Sequence, residues 1–183
     1  MKVCILGNGL ISLTLANVLI QKDLSIDILS NVKNIVYDKT RTLGISKSNI
    51  DYLSKEKINI KKILWKIKNI KIYTENLNNK EILKFSNNGE QIFSIVKNYE
   101  LYEILNKKLK KNKNVRFKNI KDYKNLIKEN YKLIINCDPK HEITNKFFYN
   151  RIEKNYFSHA YTTIITHRKI KNNNTAIQNF TNK

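Results

Sequence analysis

The first thirty residues have the order of a βαβ unit, namely an apolar strand, a glycine turn, a helix and a second strand. After Lys2, the chain is continuously apolar to residue 6 and includes the β-branched Val3 and Ile5, so residues 2–6 are typical of a strand buried on both faces. After Gly7-Asn8-Gly9, residues 10–22 carry apolar side chains at helical spacing, and residues 25–29 form a second short strand. This order predicts two parallel strands joined by a right-handed helical crossover.

The rest of the chain predicts further helices and strands. The clearest helix runs from Tyr99 to Lys111, where leucine recurs every four residues. Another helix is predicted from Ile45 to Lys57, and a helix or helical turn from Asp122 to Glu129. A polar turn is predicted at residues 76–79 and another at Asn87-Asn88-Gly89. The predicted strands are residues 69–74, 81–85, 91–96, 115–117, a buried strand at 132–136, and a long β-branched run at 160–166. Trp65 stands among aliphatic residues and is expected in the core.

The chain is strongly basic, with 35 Lys and Arg against 15 Asp and Glu and a formal net charge of +20. Such an excess suits binding to phosphate in nucleic acid, anionic lipid or an anionic cofactor. The lysines are spread along the whole chain, however, and a dispersed charge is typical of a solvated surface. We therefore expect no specific nucleic-acid partner, and only weak, salt-sensitive binding to duplex DNA.

Other features narrow the class of protein. No run of about 18 apolar residues occurs, so the sequence predicts no membrane-spanning helix. Cys4 and Cys137 each stand in an apolar, strand-like run, which predicts buried reduced thiols in a cytoplasmic protein. The three histidines are too scattered to predict a metal site, and no catalytic triad is suggested.

The glycine turn carries the most specific chemistry. Gly7-Asn8-Gly9-Leu10-Ile11-Ser12 matches the dinucleotide-binding pattern G-x-G-x-x-G, except that Ser12 replaces the third glycine. Gly7 can form the tight turn, Gly9 lets the backbone approach a pyrophosphate, and Ser12 is small enough for close helix packing. The helix that follows supplies unpaired N–H groups and a positive dipole end. Gly7, Asn8, Gly9, Leu10 and Ser12 are therefore predicted to bind a dinucleotide, against the alternative of an ordinary turn.

One part of the dinucleotide pattern is missing. The acidic residue that would bind ribose at the end of the second strand is replaced by Ser30, whose hydroxyl binds more weakly than a carboxylate. Asp27 lies within that strand and is expected to point away from the ribose.

Four further segments follow the turn in a recognisable order. They are Arg41-Thr42-Leu43-Gly44-Ile45-Ser46, Phe93 to Leu101, Leu133 to Asp138, and Tyr161 to Thr166 together with Ala176 to Thr181. With the glycine turn, they resemble the flavin-dependent aromatic hydroxylases of ubiquinone biosynthesis, which are relatives of para-hydroxybenzoate hydroxylase. In that family an arginine segment follows the first βαβ unit, and a strand ends in an acidic turn like that at Asp138.

The resemblance implies a Rossmann-like, three-layer α/β domain with a parallel sheet that binds FAD, interleaved with part of a β-rich substrate domain at residues 67–96 and 156–183. It further implies that Arg41 neutralises phosphate, Ser30 faces the ribose, and Asp138 lies near the pyrophosphate or ribityl chain. NAD(P)H would be the reductant and a polyprenylated phenol the substrate. The implied location is cytoplasmic, with peripheral association to the inner membrane or to a ubiquinone-biosynthesis complex.

The sequence also departs from the family. Pro139 stands where the family has glycine, and the family's later G-D motif has no counterpart. We therefore expect the 183 residues to be an N-terminal portion that hydroxylates nothing by itself. Two other classes stay open at this point, namely a non-catalytic nucleotide-binding protein and a basic nucleic-acid-binding protein.

Overall fold

The computed structural model describes residues 1–30, 38–77, 80–119, 126, 129–147, 150, 152, 154–166, 168 and 174–181. The chain divides into two compact units. The first comprises Met1–Lys39 and Asn98–Tyr161, and the second comprises Thr40–Lys97 and Thr162–Lys183.

The helices and strands of the described residues are, in chain order, β1 (Lys2–Leu6), α1 (Leu10–Leu19), β2 (Ser25–Leu29), β3 (Thr42–Ser46), α2 (Lys47–Lys55), β4 (Trp65–Ile67), β5 (Asn69–Thr74), β6 (Lys80–Ser86), β7 (Phe93–Lys97), α3 (Asn98–Lys110), β8 (Val115–Lys118), β9 (Leu133–Asn136), α4 (Glu142–Phe147) and β10 (Thr175–Phe180). Short 3₁₀ turns lie at Ile20–Lys22, Lys61–Ile63 and Glu75–Leu77.

The first unit is built on a parallel sheet with the strand order β8-β2-β1-β9. β1 and β2 pair in parallel with α1 between them in sequence, which confirms the predicted βαβ unit. α1 tightens into the 3₁₀ turn at Ile20–Lys22, and Asp23 then reverses the chain with a φ of 54°. The predicted helix at 99–111 and the strand at 115–117 are also confirmed, as α3 and β8.

Apolar residues cover both faces of this sheet because successive side chains of a strand point to opposite sides. On one face Cys4, Leu6 and Leu29 form a buried cluster with Leu126, against which Tyr131 and Ile143 pack. Their neighbours along the strands, including Val3 and Ile5, are also buried and point to the opposite face. α1 and α3 contact each other and the strands, and the buried amide of Asn17 in α1 donates to the Leu105 carbonyl in α3 at 3.1 Å.

The second unit contains two three-stranded sheets. In one, β7 lies between β3 and β4 and is antiparallel to both. In the other, β5 is antiparallel to β6 and parallel to β10. The predicted turn between β6 and β7 is confirmed, because Asn88 and Gly89 have φ values of 42° and 77°, and residues 87 and 90 form a bridge.

The predicted helix from Ile45 to Lys57 begins too early. Ile45 and Ser46 belong to β3, and the helix starts at Lys47, where the Ser46 hydroxyl caps it by accepting the Asn49 N–H at 3.2 Å. The residues before the helix, Thr42–Ser46, pair in register with β7 as a strand. Pairing with β7, which is distant in sequence, overrides the local helical spacing of these residues. The local sequence pattern contains no sign of that pairing.

Three further predictions are wrong. Residues 160–166 form no strand and belong to an exposed stretch without regular structure at 154–166. Residues 133–136 do form β9, but Leu133 and Ile134 are 47% and 41% exposed because β9 is an edge strand of the described sheet. Trp65 is 48% exposed on β4 and is not a core residue.

Other predictions are settled only in part. The predicted strands at 69–74, 81–85 and 91–96 correspond to β5, β6 and β7. Most of the predicted helix at 122–129 and residues 78–79 of the predicted turn lie outside the described residues. Both cysteines are reduced, with Cys4 buried and Cys137 partly buried. Among the residues that the structure describes, no helix is long and apolar enough to cross a membrane.

Candidate functional site

The glycine turn lies at the carboxyl end of β1, and its first glycine is required by the fold itself. Gly7 has a φ of +95°, which side-chain-bearing residues rarely adopt, and its N–H donates to the Leu29 carbonyl at 2.7 Å. A Cβ at this position would lie 3.2 Å from the Asp138 Cβ and 3.2 Å from the Ser12 hydroxyl. Gly7 therefore forms the tight turn and lets α1 and the end of β9 approach β1 closely.

Gly9 is not required in the same way. Its φ of −75° and ψ of −178° are open to any residue, and a Cβ built there meets no atom within 4 Å. Neither the backbone nor the packing of the described residues explains a glycine at this position. The missing side chain leaves open space directly before α1, as the approach of a pyrophosphate to the backbone requires.

The N-terminus of α1 presents backbone donors towards this space. Gly9 is the N-cap residue, no side chain caps the helix, and its first turn holds no acidic residue. The Gly9 carbonyl accepts the Leu13 N–H at 3.0 Å, so the N–H groups of the first turn before Leu13 have no acceptor within the helix. These donors and the positive end of the helix dipole favour an anion.

Asp138 lies beside the turn, where the ends of the parallel strands β1 and β9 meet. Its carboxylate accepts the Lys140 N–H at 3.0 Å, and its carbonyl accepts the Thr144 hydroxyl at 3.0 Å and the His141 N–H at 3.1 Å. These bonds fix the residue in a polar turn through Pro139 that leads into α4. The structure thus brings together Gly7, Ser12 and Asp138 at the carboxyl ends of the parallel strands, where α/β proteins bind ligands.

The other predicted site residues lie as follows. Asn8 and Leu10 are half-buried on either side of Gly9, and Leu10 begins α1. Ser30 directly follows β2, where its N–H donates to the Lys118 carbonyl at 3.1 Å. Arg41 is exposed and precedes β3 in the second unit, so its contact with a phosphate stays a prediction.

Asp27 is the centre of a charge cluster that the sequence reading missed. Its side chain is fully buried, with Arg116 Nε at 2.9 Å, Lys118 Nζ at 3.0 Å and Lys2 Nζ at 3.5 Å, and the Tyr131 hydroxyl donates to it at 2.7 Å. Glu129 forms ion pairs with both of these lysines, with its Oε2 at 2.8 Å from Lys2 Nζ and 2.9 Å from Lys118 Nζ. The available signal was a carboxylate inside an otherwise apolar strand, since a buried charge requires partners.

The protonation states of the cluster follow from these contacts. Burial alone would raise the pKa of Asp27, but hydrogen bonds from Tyr131, Lys118 and Arg116 lower it below its usual range. Hydrogen bonds from Lys2 and Lys118 lower the pKa of Glu129 to about 2. Burial and the bond to Asp27 raise the pKa of Tyr131. Both carboxylates are therefore ionised and paired at neutral pH, which indicates a structural role.

Neither cysteine is prepared to act as a nucleophile. Burial raises the pKa of Cys4 to about 12, and burial also raises the pKa of Cys137. Both thiols are therefore protonated at neutral pH, although the thiolate is the reactive form.

The fold is similar to that of several solved structures, two of which are named as a monooxygenase and an oxygenase. p-Nitrophenol 4-monooxygenase PnpA from Pseudomonas putida is similar over 64% of this chain and 31% of its own, with a TM-score of 0.55 and 14% identity. 2-Methyl-3-hydroxypyridine-5-carboxylic acid oxygenase is similar over 64% of this chain and 31% of its own, with a TM-score of 0.54 and 14% identity. FqzB is similar over 64% of this chain and 28% of its own, with a TM-score of 0.51 and 20% identity. No protein-family model and no curated protein sequence matches the chain.

These similarities concern the fold. The mixed α/β fold with a parallel sheet that was predicted from the resemblance to FAD-binding hydroxylases is confirmed. The chain spans about a third of the length of the solved structures it resembles. The ubiquinone-biosynthesis branch of the family stays a prediction.

Proposed function

We propose that this chain binds FAD and forms the cofactor-binding part of a flavin-dependent aromatic-ring monooxygenase. The observation that carries the proposal is the open space at Gly9, where a glycine that neither backbone nor packing requires precedes the uncapped end of α1. A diphosphate is the group in FAD that needs this combination of close backbone approach and unpaired N–H donors.

The residues divide the binding between them. The Gly7-Asn8-Gly9 turn and the first turn of α1, from Leu10 to Ser12, would hold the pyrophosphate, and Ser30 would face the ribose. Asp138 would lie beside the pyrophosphate or the ribityl chain, and Arg41 would neutralise phosphate charge. FAD supplies the electron transfer and oxygen activation of aromatic hydroxylation, so no side-chain acid or base is assigned.

The wider reaction belongs to the same proposal and rests on the sequence resemblance. The reductant is NAD(P)H and the substrate is a polyprenylated phenol, whose apolar tail accounts for the proposed peripheral association with the inner membrane or with a ubiquinone-biosynthesis complex. These proposals concern the whole protein's activity, because the similar structures are about three times as long as the matched region.

The test compares two glycine variants in a titration with FAD. Gly9→Val places a bulky side chain in the open space, and we expect it to abolish the flavin absorbance and fluorescence changes that the unchanged chain gives. Gly44→Val is the control, since Gly44 lies exposed on β3 and a Cβ there makes only ordinary contact with Phe93 at 3.6 Å. It should bind FAD as the unchanged chain does.

Two controls make the titration decisive. Circular dichroism of Gly9→Val should match that of the unchanged chain, because the Gly9 backbone suits any residue. Saturation with FAD at about 100 times Kd should stabilise the unchanged chain by roughly 2.7 kcal/mol, and should leave Gly9→Val unaffected. Equal FAD binding by the unchanged chain and Gly9→Val would rule out the proposal, and so would a preference of the unchanged chain for NAD over FAD.

A further inference from the structure

The densest run of cations in the chain lies where α3 ends. Residues 104–119 contain seven Lys and Arg and no Asp or Glu. Two of these cations, Arg116 and Lys118, pair with the buried carboxylate of Asp27. Four of the other five are exposed, and none of these four pairs with a carboxylate among the residues that the structure describes. These four form the lysine patch, which consists of Lys107, Lys110, Lys111 and Lys113.

The patch is held in place by the packing of α3 and by the turn that follows it. The first two lysines of the patch lie on the side of α3 away from Leu105 and Leu109, which are buried in the first unit. The last two lie in the turn, where the Asn112 N–H donates to the Leu109 carbonyl at 3.0 Å and the Asn114 N–H donates to the Asn112 side chain at 2.9 Å. Four ammonium groups are therefore presented to solvent from one end of one helix.

The helix dipole does not explain the whole patch. Cations are stabilised at a helix C-terminus, but this effect is confined to the last turn. α3 ends at Lys110, whereas Lys111 and Lys113 lie beyond it. Like charges that lie close together repel one another, and the acidic residues of α3, Glu100 and Glu103, lie in its first half. The patch therefore favours a partner that brings negative charge.

We propose that the lysine patch docks the chain on an anionic lipid surface. A cluster of four or more basic residues on a helix is typical of segments that bind anionic headgroups, and each lysine strengthens binding about fivefold. The choice of lipid rests on the proposed function, because a polyprenylated phenol dissolves in a bilayer. Nucleic acid fits less well, because surfaces that bind single strands present several aromatic rings. Residues 104–119 contain one, Phe117.

Docking through the patch leaves the candidate cofactor site uncovered. α3 leads into the amino end of β8, and β8, β2 and β1 are parallel neighbours in one sheet. The patch therefore lies at the amino ends of these strands, whereas the glycine turn lies at the carboxyl end of β1. Lipid binding and FAD binding can accordingly be measured and disrupted separately.

The experiment measures the partition of the full chain onto sedimented vesicles of phosphatidylcholine and phosphatidylglycerol in equal parts. The patch variant carries Lys107→Gln, Lys110→Gln, Lys111→Gln and Lys113→Gln. At about 0.1 M NaCl, it should bind these vesicles about 100-fold or more weakly than the unchanged chain. Vesicles of phosphatidylcholine alone should bind neither chain, and binding of the unchanged chain should weaken as NaCl is raised.

The matched control removes the same number of charges from dispersed, exposed positions, through Lys47→Gln, Lys62→Gln, Lys80→Gln and Lys132→Gln. It should bind the anionic vesicles less than about fivefold more weakly than the unchanged chain, since distant charges are screened. Equal losses in the two variants would overturn the proposal, as would undiminished vesicle binding by the patch variant. Loss of binding to a single-stranded oligonucleotide in the patch variant, with vesicle binding unchanged, would also overturn it and would make nucleic acid the partner.

An FAD titration of the patch variant separates this proposal from the proposed function. The variant should bind FAD as the unchanged chain does, because the patch and the glycine turn lie at opposite ends of the strands. Failure of the unchanged chain to bind FAD would contradict the proposed function. Failure of the unchanged chain to bind anionic vesicles, with FAD binding intact, would overturn the docking proposal alone.

Discussion

At the scale of single residues, Gly7 and Gly9 belong to one turn but are glycines for different reasons. Gly7 adopts a φ of +95° and lies against Asp138 and Ser12, so the fold requires it. Gly9 has an ordinary backbone conformation and open space where its side chain would be. Folding requires the first glycine, whereas we propose that the second is glycine because a ligand approaches its backbone.

Alanine substitution separates these two reasons. Gly7→Ala should lower the free energy of unfolding by roughly 1–3 kcal/mol, because it adds backbone strain and two close contacts. Gly9→Ala should change it by less than about 1 kcal/mol, the usual size of an effect at an N-cap. Urea unfolding followed by circular dichroism measures both values. Equal losses in the two variants would contradict the assignment of the two glycines.

At the scale of elements, the charge cluster around Asp27 attaches the edge strand β8 to the sheet. Arg116 and Lys118 reach Asp27 from β8, and Lys2 reaches it from β1. The cations keep between 30% and 56% of their side chains in contact with solvent, whereas Asp27 has none. The buried carboxylate is therefore the member whose loss matters most.

Asp27→Asn should destabilise the first unit on the order of 2–3 kcal/mol. This is less than the ~3–5 kcal/mol for a fully buried pair, because the cations left behind remain hydrated. Glu81→Gln is the control, since it breaks the exposed pair with Lys71 at 2.8 Å and should cost far less. Thermal or urea unfolding provides the comparison, and similar costs for the two variants would show that the cluster is not structural.

The same cluster predicts a loss of stability in acid. The pKa of Glu129 is about 2 in the folded chain against an ordinary 4.5, and the pKa of Asp27 is also lowered. The two carboxylates bind protons less readily in the folded state than in the unfolded state. For Glu129, the resulting contribution to the free energy of unfolding is therefore complete above pH 4.5 and is lost as pH falls towards 2. The stability gap between the unchanged chain and Glu129→Gln should therefore narrow over that range. A gap independent of pH would argue against the assignment.

The sequence predicted those elements whose signal is local. The βαβ unit and α3 followed from apolar spacing and from the glycine turn, and both are present. β3 was missed because its strand character comes from pairing with β7. Residues 160–166 were predicted as a strand from their β-branched composition and from the family resemblance, but a strand needs a partner edge, and the described residues provide none. The partners of Asp27 were likewise invisible, because Arg116 lies 89 residues away.

At the scale of the whole molecule, two compact units share one chain with a net charge of +20. The first unit contains the glycine turn after β1, the N-terminus of α1 and Asp138. The net charge already counts the carboxylates that pair with cations, such as Asp27, and it makes the approach of an anionic cofactor favourable at long range. We therefore expect the N-terminus of α1 to be the place where this chain binds the phosphate of a cofactor.

The most direct test of that claim is the change in backbone amide chemical shifts when FAD is added to the ¹⁵N-labelled chain. We expect the largest changes at Gly9, Leu10 and Ile11, which form the N-cap and first turn of α1, with smaller changes at Ser30 and Asp138. ADP should perturb the same first-turn amides, because it carries the diphosphate without the flavin. Largest changes in the second unit, or none at the first turn of α1, would contradict the account.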